Sequence, residues 1–570
     1  TPEHGGLLQK DRLVLGVRMK KIAAALAVLV FDSPARAAWG SAKADFDASA
    51  EEAAFAAATQ LFTETGRDKL AVVQFLESFI SQFPKSPRVL DAEFMVGEAY
   101  LQHALSILKA EAAAKRTSSA RLLAPKNPAA AKALSDAQKA FAAASEDKNS
   151  GLGPSAQYRL GEAAYNDKDW EKAVSEFKEV ERRHPKAYIN PEALMGIIYA
   201  DLALEQFSQA EANLFLLGET FPTFLKEPTV LYAQGIVALH RGDYPNAERA
   251  LKSVKSAEAQ YYLGKTYLLS RRAYLAAAAF ENLIRDYPES DLKEEAQFFI
   301  GDSFFLAEDF NGAISKYQKF ISLYPESPLR VSALFRIGSS YFQKKDYMEA
   351  RANFQAVLDR YPKDFFAPLA QFFIAESHLI SKQTREALFA FTKVITQHPD
   401  AVKIAPLAFF KLSWCQYQVG DYMQAIQTGN NFTAQYPNHV LAKNVYLIMG
   451  NAQLALKRYS EATTSFQRII DLAPSSDIAE QALFSILKSQ YDQKAFNSIL
   501  TSYQFIFRHL PPSKSKWRSI SYLYAAEAYL ALNQVDEAKV IYEMILKVYP
   551  DDPAAFYAQD GLAWCYAYRG

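Results

Sequence analysis

Residues 290–325 read SDLKEEAQFFIGDSFFLAEDFNGAISKYQKFISLYP, and this stretch decides the fold. Its apolar residues form two stripes at helical spacing, which predicts two amphipathic helices. The first helix is expected over residues 294–307. The second ends at Tyr324-Pro325, because proline lacks a backbone donor and disfavours the α conformation in the residue before it. Asp309 stands between the stripes, where its carboxylate can cap the second helix. The stretch therefore predicts a helix pair.

The same pattern returns along the chain at a nearly constant period. A proline closes each unit, usually behind an aromatic residue or a histidine, and most successive units are 37 residues long. The closing prolines are Pro185, Pro222, Pro288, Pro325, Pro362, Pro399, Pro437, Pro474, Pro511 and Pro550. A fixed period in this range is typical of stacked supersecondary units that contact mainly their neighbours. We therefore expect an all-α, α-α superhelical solenoid of helix pairs.

Three further positions recur at fixed distances before the closing proline. A glycine stands 24 residues before it at Gly161, Gly264, Gly301, Gly338 and Gly450. An alanine stands 12 residues before it at Ala173, Ala210, Ala276, Ala313, Ala350, Ala387, Ala425, Ala462 and Ala538. An aromatic ring stands eight residues before it at Phe177, Phe280, Tyr317, Phe354, Phe391, Phe466, Tyr503 and Tyr542. Gly-x2-Tyr/Phe, followed by alanine, an aromatic residue and proline, resembles the tetratricopeptide repeat.

The resemblance covers roughly residues 51–570 and about 13 repeats. Their period of 37 exceeds the 34 residues usual in the family. This longer unit is similar to the repeats of two bacterial envelope groups, the periplasmic coordinators of the Tol–Pal system and the helical lipoproteins of the outer-membrane β-barrel assembly machine. The chain is longer than either, lacks the lipid-attachment cysteine of the second, and shows no trimerising coiled coil like that of the first. The resemblance implies an envelope compartment and protein partners, without identifying one.

Charge and composition exclude several function classes. Lys+Arg and Asp+Glu both number 63, so the formal net charge is zero and the basic excess of a nucleic-acid binder is missing. No apolar run reaches the roughly 18 residues of a membrane span. We therefore expect no nucleic-acid partner and no direct membrane span, and the oligomeric state stays open.

The N-terminal residues carry a targeting pattern. Two lysines at positions 20 and 21 precede an apolar run over residues 22–31 and the small-residue site Ala35-Arg36-Ala37. This order predicts a bacterial secretory signal over residues 19–37 that is cleaved after Ala37, with residues 1–18 as a non-native upstream leader. The alternative is an Ala-rich helix of the first repeat. With the signal, the chain is expected in the bacterial periplasm or outside the cell.

The repeats divide into two predicted regions. Residues 45–150 are expected to hold divergent N-terminal repeats with an insertion, and residues 155–570 the main array. Residues 149–154, with the sequence NSGLGP, form the strongest break and are either a hinge or a tolerated surface insertion. The final residues match a first helix, with Trp564-Cys565 in the place of Trp414-Cys415. We expect an incomplete last repeat and a further C-terminal region.

The residues give no support to catalysis. The eight histidines show no metal-ligand spacing, and the glycines do not cluster into a phosphate-binding loop. Cys415 and Cys565 lie four repeats apart, too far for a disulfide, and are expected to be buried free thiols. His184 and His398 replace the tyrosine that precedes the closing proline elsewhere, so we expect them to be helix-end rings. We predict no catalytic residue, metal site or cofactor.

The resemblance implies that the first helices line a concave binding face. Positions three before, one after and four after the repeat glycine share one side of such a helix. The candidate residues are Phe298, Asp302, Phe305, Phe335, Ser339, Phe342, Phe372, Glu376, Leu379, Phe410, Trp414 and Tyr417. Aromatic rings with a few polar groups favour capture of a peptide or helix. Alternatively, several rings pack between adjacent repeats, as the doublets Phe298-Phe299 and Phe372-Phe373 permit.

Two functions of different classes follow from these expectations. The first is a non-enzymatic scaffold or adaptor of the bacterial periplasm or cell envelope that binds partner peptides or helices. The second is a targeting arm for a catalytic or wall-binding domain beyond residue 570. An intracellular scaffold is a third possibility if the signal is absent.

Overall fold

The predicted all-α fold is confirmed by a computed structural model. The structure describes residues 50–63, 68–114, 127–146, 151–474, 476–509 and 516–569. Over these ranges it contains 27 α-helices and one short 3-10 helix, and no strand. The predicted signal at 19–37, the leader before it, residues 147–150 and the terminal Gly570 lie outside the described residues. Two compact units part between Ala333 and Leu334, a division that the sequence did not indicate.

The first unit contains the helix pairs up to Ala333. Its helices are α1 (Ala50–Thr63), α2 (Lys69–Gln82), α3 (Val89–Ala114), α4 (Pro128–Ser145), α5 (Gly153–Asn166), α6 (Trp170–Arg183), α7 (Asn190–Ala203), α8 (Phe207–Thr220), the 3-10 helix (Pro222–Lys226), α9 (Pro228–Arg241), α10 (Tyr244–Lys252), α11 (Ala257–Leu269), α12 (Ala273–Asp286), α13 (Lys293–Leu306) and α14 (Phe310–Leu323). On either side of residues 147–150, Phe141 and Leu160 belong to one hydrophobic cluster.

The second unit continues the same arrangement. Its helices are α15 (Arg330–Gln343), in which the two units part, α16 (Tyr347–Arg360), α17 (Ala367–Ile380), α18 (Thr384–Gln397), α19 (Ala405–Gln418), α20 (Tyr422–Gln435), α21 (Ala442–Ala455), α22 (Tyr459–Leu472), α23 (Asp477–Asp492), α24 (Phe496–His509), α25 (Lys516–Ala531), α26 (Val535–Val548) and α27 (Pro553–Arg569). Most helices have 14 residues, close to the lengths that the apolar stripes predict.

Local interactions set the helix ends where the sequence predicts them. The backbone N–H of Gly312 donates to Asp309 Oδ1 at 2.9 Å at the start of α14. Asp346 accepts from the N–H of Glu349 at 3.3 Å in the same way at the start of α16. Each bond satisfies one of the amide donors that the first turn of a helix leaves free.

From the α5–α6 pair to the α25–α26 pair, the turn inside each helix pair has a left-handed residue that the sequence analysis missed. Lys345 has φ 64°, and its N–H donates to Phe342 O at 2.9 Å while the next N–H, of Asp346, donates to Tyr341 O at 2.9 Å. This pair of bonds closes the C-terminus of a helix in a Schellman motif. The same conformation recurs at Lys168, Glu205, Arg271, Glu308, Lys382, Lys457, Lys494 and Asn533, and with glycine at Gly242 and Gly420. The sequence did not predict this turn because most of its left-handed positions hold charged residues, whereas glycine is the residue that usually indicates such a turn.

Phe177, the recurring aromatic residue of α6, packs against two first helices. The ring of Phe177 is so close to two first helices that a Cβ added at Gly161 or at Gly196 would lie 2.6 Å from it. Gly161 belongs to the same helix pair as Phe177, and Gly196 belongs to the next pair. One ring therefore joins its own pair to the following one, which explains why small residues recur opposite it.

Candidate protein-binding face

The structure corrects the candidate binding face at two of the positions that lie three residues before the repeat glycine, Phe298 and Phe335. Phe298 is only 6% exposed, and its ring centroid lies 5.6 Å from those of both Tyr317 and Phe320 on α14. Phe298 therefore packs inside its own helix pair. For this residue the alternative of packing within the array is correct, because a side chain with almost no accessible surface cannot contact a partner.

Phe335 is buried in the same way in the second unit. It is 2% exposed, and its ring centroid lies 5.3 Å from Phe354, 4.9 Å from Phe366 and 5.9 Å from Phe373. A polar substitution here would perturb the core and would not report on binding.

The aromatic doublets divide their two rings between two interfaces. Phe372 contacts Phe391 of its own second helix at 5.5 Å, whereas Phe373 stacks on Phe354 of the preceding second helix at 5.5 Å and 19°. Phe299 likewise stacks on the preceding Phe280 at 5.5 Å. Neighbouring residues of a helix point about 100° apart, so one doublet can serve both sides of a first helix. The doublets are packing elements.

The positions one and four after the repeat glycine remain partly accessible in the first unit. Asp302 accepts a hydrogen bond from the hydroxyl of Tyr317. Phe305 is half-buried, with its ring edge-on to Phe310 at 5.5 Å. Both side chains are held in place by the second helix while presenting part of their surface to solvent.

The equivalent positions of α15 and α17 are also half-buried. Ser339 Oγ donates to Phe335 O at 3.0 Å, so the hydroxyl proton of Ser339 is already used within the helix and is not free to bond a partner. Phe342 lies edge-on to Tyr347 at 5.4 Å, and Leu379 is half-buried. Glu376 of α17 forms an ion pair with Lys411 Nζ of α19 at 3.1 Å, so this carboxylate joins neighbouring first helices.

Helix α19 carries the most accessible part of the candidate face. Trp414 and Leu407 are each 37% exposed, while Phe410, Lys411 and Tyr417 are half-buried along the same side. We call these five residues the Trp414 stripe. Sequence reasoning missed Leu407 and Lys411, although their positions seven and three residues before Trp414 would have found them. The stripe combines an exposed indole, aliphatic surface and an ion pair, a composition suited to an apolar anchor of a partner.

Six segments of the chain match the family model for the tetratricopeptide repeat. They are residues 258–290, 295–327, 332–364, 407–439, 444–476 and 521–552. These segments of the chain are tetratricopeptide repeats. Upstream, residues 152–260 match a family model described as an outer membrane lipoprotein. Neither model describes an enzyme.

Several solved structures are similar to parts of this chain. A tetratricopeptide repeat protein from Parabacteroides merdae is 15% identical, with 48% of this chain and 98% of the other covered at a TM-score of 0.29. YrrB, described as a TPR protein with an unusual peptide-binding site, is 18% identical, with 36% and 98% covered at a TM-score of 0.29. MamA is 18% identical, with 32% and 94% covered at 0.28. Among curated proteins, none matches the sequence significantly.

The two cysteines are buried in the packing of the repeats. Cys415 and Cys565 are buried free thiols, and burial raises the pKa of the Cys415 thiol to about 12. Within the described ranges, no group of three or more His, Cys, Asp or Glu side chains is placed to hold a metal ion. In the same part of the chain, no helix combines the length and apolarity needed to cross a bilayer.

Proposed function

We propose that this chain is a non-enzymatic scaffold of the bacterial cell envelope that binds a peptide or helix of a partner protein on its first helices. The observation that carries the proposal is the Trp414 stripe. An indole that is 37% exposed beside an exposed leucine is costly to leave in water, and large aromatic residues dominate binding energies at protein interfaces.

The Trp414 stripe also has the rigidity that a binding site needs. Lys411 is held by Glu376, and Tyr417 packs on Tyr422 with ring centroids 5.6 Å apart. Anchors whose rotamers are already fixed lose little conformational entropy when a partner arrives. We propose that an apolar side chain of the partner packs on Trp414 and Leu407.

The proposed compartment rests on two observations. Residues 152–260 match the outer membrane lipoprotein model, and residues 19–37 have the order of a secretory signal. Expression of the full chain in a bacterium, followed by fractionation and N-terminal sequencing, tests this part. A periplasmic product beginning at Ala38 is expected. An uncut cytoplasmic product would contradict the envelope assignment while leaving the binding face untested by that experiment.

Site-specific photo-crosslinking tests the binding face itself. A photoreactive amino acid at position 414 should give discrete crosslinked adducts in cells. The same residue at Val440, which is 72% exposed in the same unit, serves as the matched control and should give none of these adducts. Trp414→Ala should then weaken binding of the recovered partner by at least about 2 kcal/mol, the scale of an interface hot spot. Identical adducts at both positions, or none at 414, would refute the assignment.

A further inference from the structure

A groove opens on the other side of the helix pairs in the second unit. It lies between the second helices α16 and α18, with the first helix α17 as its floor, and has a volume of about 500 Å³. Ile374 and His378 contribute to the floor, and Arg385, Phe389 and Lys393 contribute to the wall formed by α18. The groove shares no residue with the Trp414 stripe.

The wall formed by α18 has an unusual side-chain row. Arg385, Phe389 and Lys393 are four residues apart and therefore lie on one side of the helix. Phe389 is 62% exposed, and Lys393 Nζ lies 4.7 Å from its ring centroid. With a rise of about 1.5 Å per residue, the two cationic residues are about 12 Å apart along the helix, with the aromatic ring midway.

The repeat architecture does not require this row. One period earlier the equivalent positions hold Met348, Ala352 and an alanine at 356, and one period later they hold Met423, Gln427 and an asparagine at 431. The helices that carry these other residues, α16 and α20, have 14 residues each, as α18 does. The packing of the repeat therefore does not require an exposed phenylalanine at position 389. The surface of Phe389 is available to a ligand.

The charges of the groove favour an acidic ligand of a particular kind. In the groove lining, Arg385 and Lys393 outweigh the single carboxylate of Glu386. The central surface, by contrast, is apolar, since Phe389 and Ile374 both line the groove and Phe389 exposes its ring. Glu386 and the apolar centre disfavour a polyphosphate backbone. A ligand with two carboxylates on either side of one apolar side chain complements the row of Arg385, Phe389 and Lys393.

We propose that this groove binds an acidic amphipathic helix of a partner protein with the pattern Glu-x3-Leu-x3-Glu. The leucine packs on Phe389, and the two carboxylates pair with Arg385 and Lys393. A helix is the matching occupant because its own i, i+8 spacing is also about 12 Å. The site goes beyond the proposed function, since it lies on the second helices and binds independently of the Trp414 stripe.

The test uses the full chain and a fluorescent helical peptide with this pattern, measured by fluorescence anisotropy at low and high salt. The wild-type protein should bind it, and Arg385→Glu/Lys393→Glu should weaken binding about tenfold or more, as expected for two partly exposed ion pairs that are reversed. Phe389→Ala should weaken binding while the far-UV circular dichroism stays unchanged. Trp414→Ala should have no effect, which separates this site from the proposed function.

Matched controls make the result decisive. Lys457→Glu/Lys488→Glu changes the net charge equally at exposed sites outside the groove and should leave binding unchanged. A peptide with lysines in place of both glutamates should bind only the Arg385→Glu/Lys393→Glu variant. The proposal is overturned if the acidic peptide does not bind the wild type, if both double variants weaken it equally, or if phosphatidylglycerol vesicles bind through Arg385 and Lys393 while the peptide does not.

Discussion

Replacement of Arg518 by methionine should be among the most damaging single changes in the second unit. Arg518 lies on α25, is 1% exposed, and donates through Nε to Glu480 Oε2 at 2.8 Å and through Nη2 to Glu480 Oε1. Glu480, on the neighbouring first helix α23, is 6% exposed. Arg518→Met leaves this carboxylate buried without its cation, and breaking such a pair costs about 3–5 kcal/mol.

The double variant Arg518→Met/Glu480→Leu separates the pair from its surroundings. Because both charges are then gone and apolar volume replaces them, its free energy of unfolding should lie within about 1–2 kcal/mol of the wild type. The coupling energy between the two positions should therefore be at least about 2 kcal/mol. As a matched control, Arg458→Met removes an exposed ion pair with Glu461 and should cost less than about 1 kcal/mol.

Hydrogen exchange measured by mass spectrometry is the suitable assay. A repeat array opens locally, so a single global unfolding curve averages over helix pairs that respond differently. Loss of protection in Arg518→Met should be largest in α23 and α25 and should be restored in the double variant. If Arg518→Met changes the opening free energy of these helices by less than about 1 kcal/mol, the pair is not desolvated as the structure indicates and the reasoning fails.

Three further substitutions test the packing, the turns and the titration of the repeats. Gly338→Ala would place a Cβ 2.8 Å from the ring of Phe354, which also stacks on Phe373, so the midpoint of urea unfolding should fall by the equivalent of about 1–3 kcal/mol. Lys345→Gly relieves a left-handed residue with φ 64° and should raise stability by about 0.5–1 kcal/mol in the same assay, and a loss would contradict the turn geometry. Burial, followed by the charge of Arg183, lowers the pKa of His184 below 6.5, so its stability contribution is present above pH 6.5 and is lost as pH falls through the folded pKa. His184→Tyr should therefore reduce the loss of stability between pH 7.5 and 5.5, and an unchanged pH profile would refute the assignment.

Part of the candidate face could be predicted from residue spacing alone. Trp414 and Tyr417 lie on an accessible side of α19, as the helical period predicts. Phe298 and Phe335 do not, although the same period places them on that side, because neighbouring aromatic rings cover them. Whether a residue on that side is covered depends on the second helix that packs on it, about half a repeat further along the chain. Spacing within one helix contains no information about that contact.

The sequence by itself determined the helix pairs, their period and their ends. These depend on interactions within a few residues, such as the N–H of Gly312 donating to Asp309, and on prolines that stop a helix wherever they occur. Only the tertiary structure decided which aromatic rings are core and which are surface, that Arg385, Phe389 and Lys393 border an open groove, and that Arg518 and Glu480 are buried together. The physical reason is distance along the chain: burial is created by helices one repeat apart, and their packing, unlike a cap or a turn, is not encoded in any single local pattern.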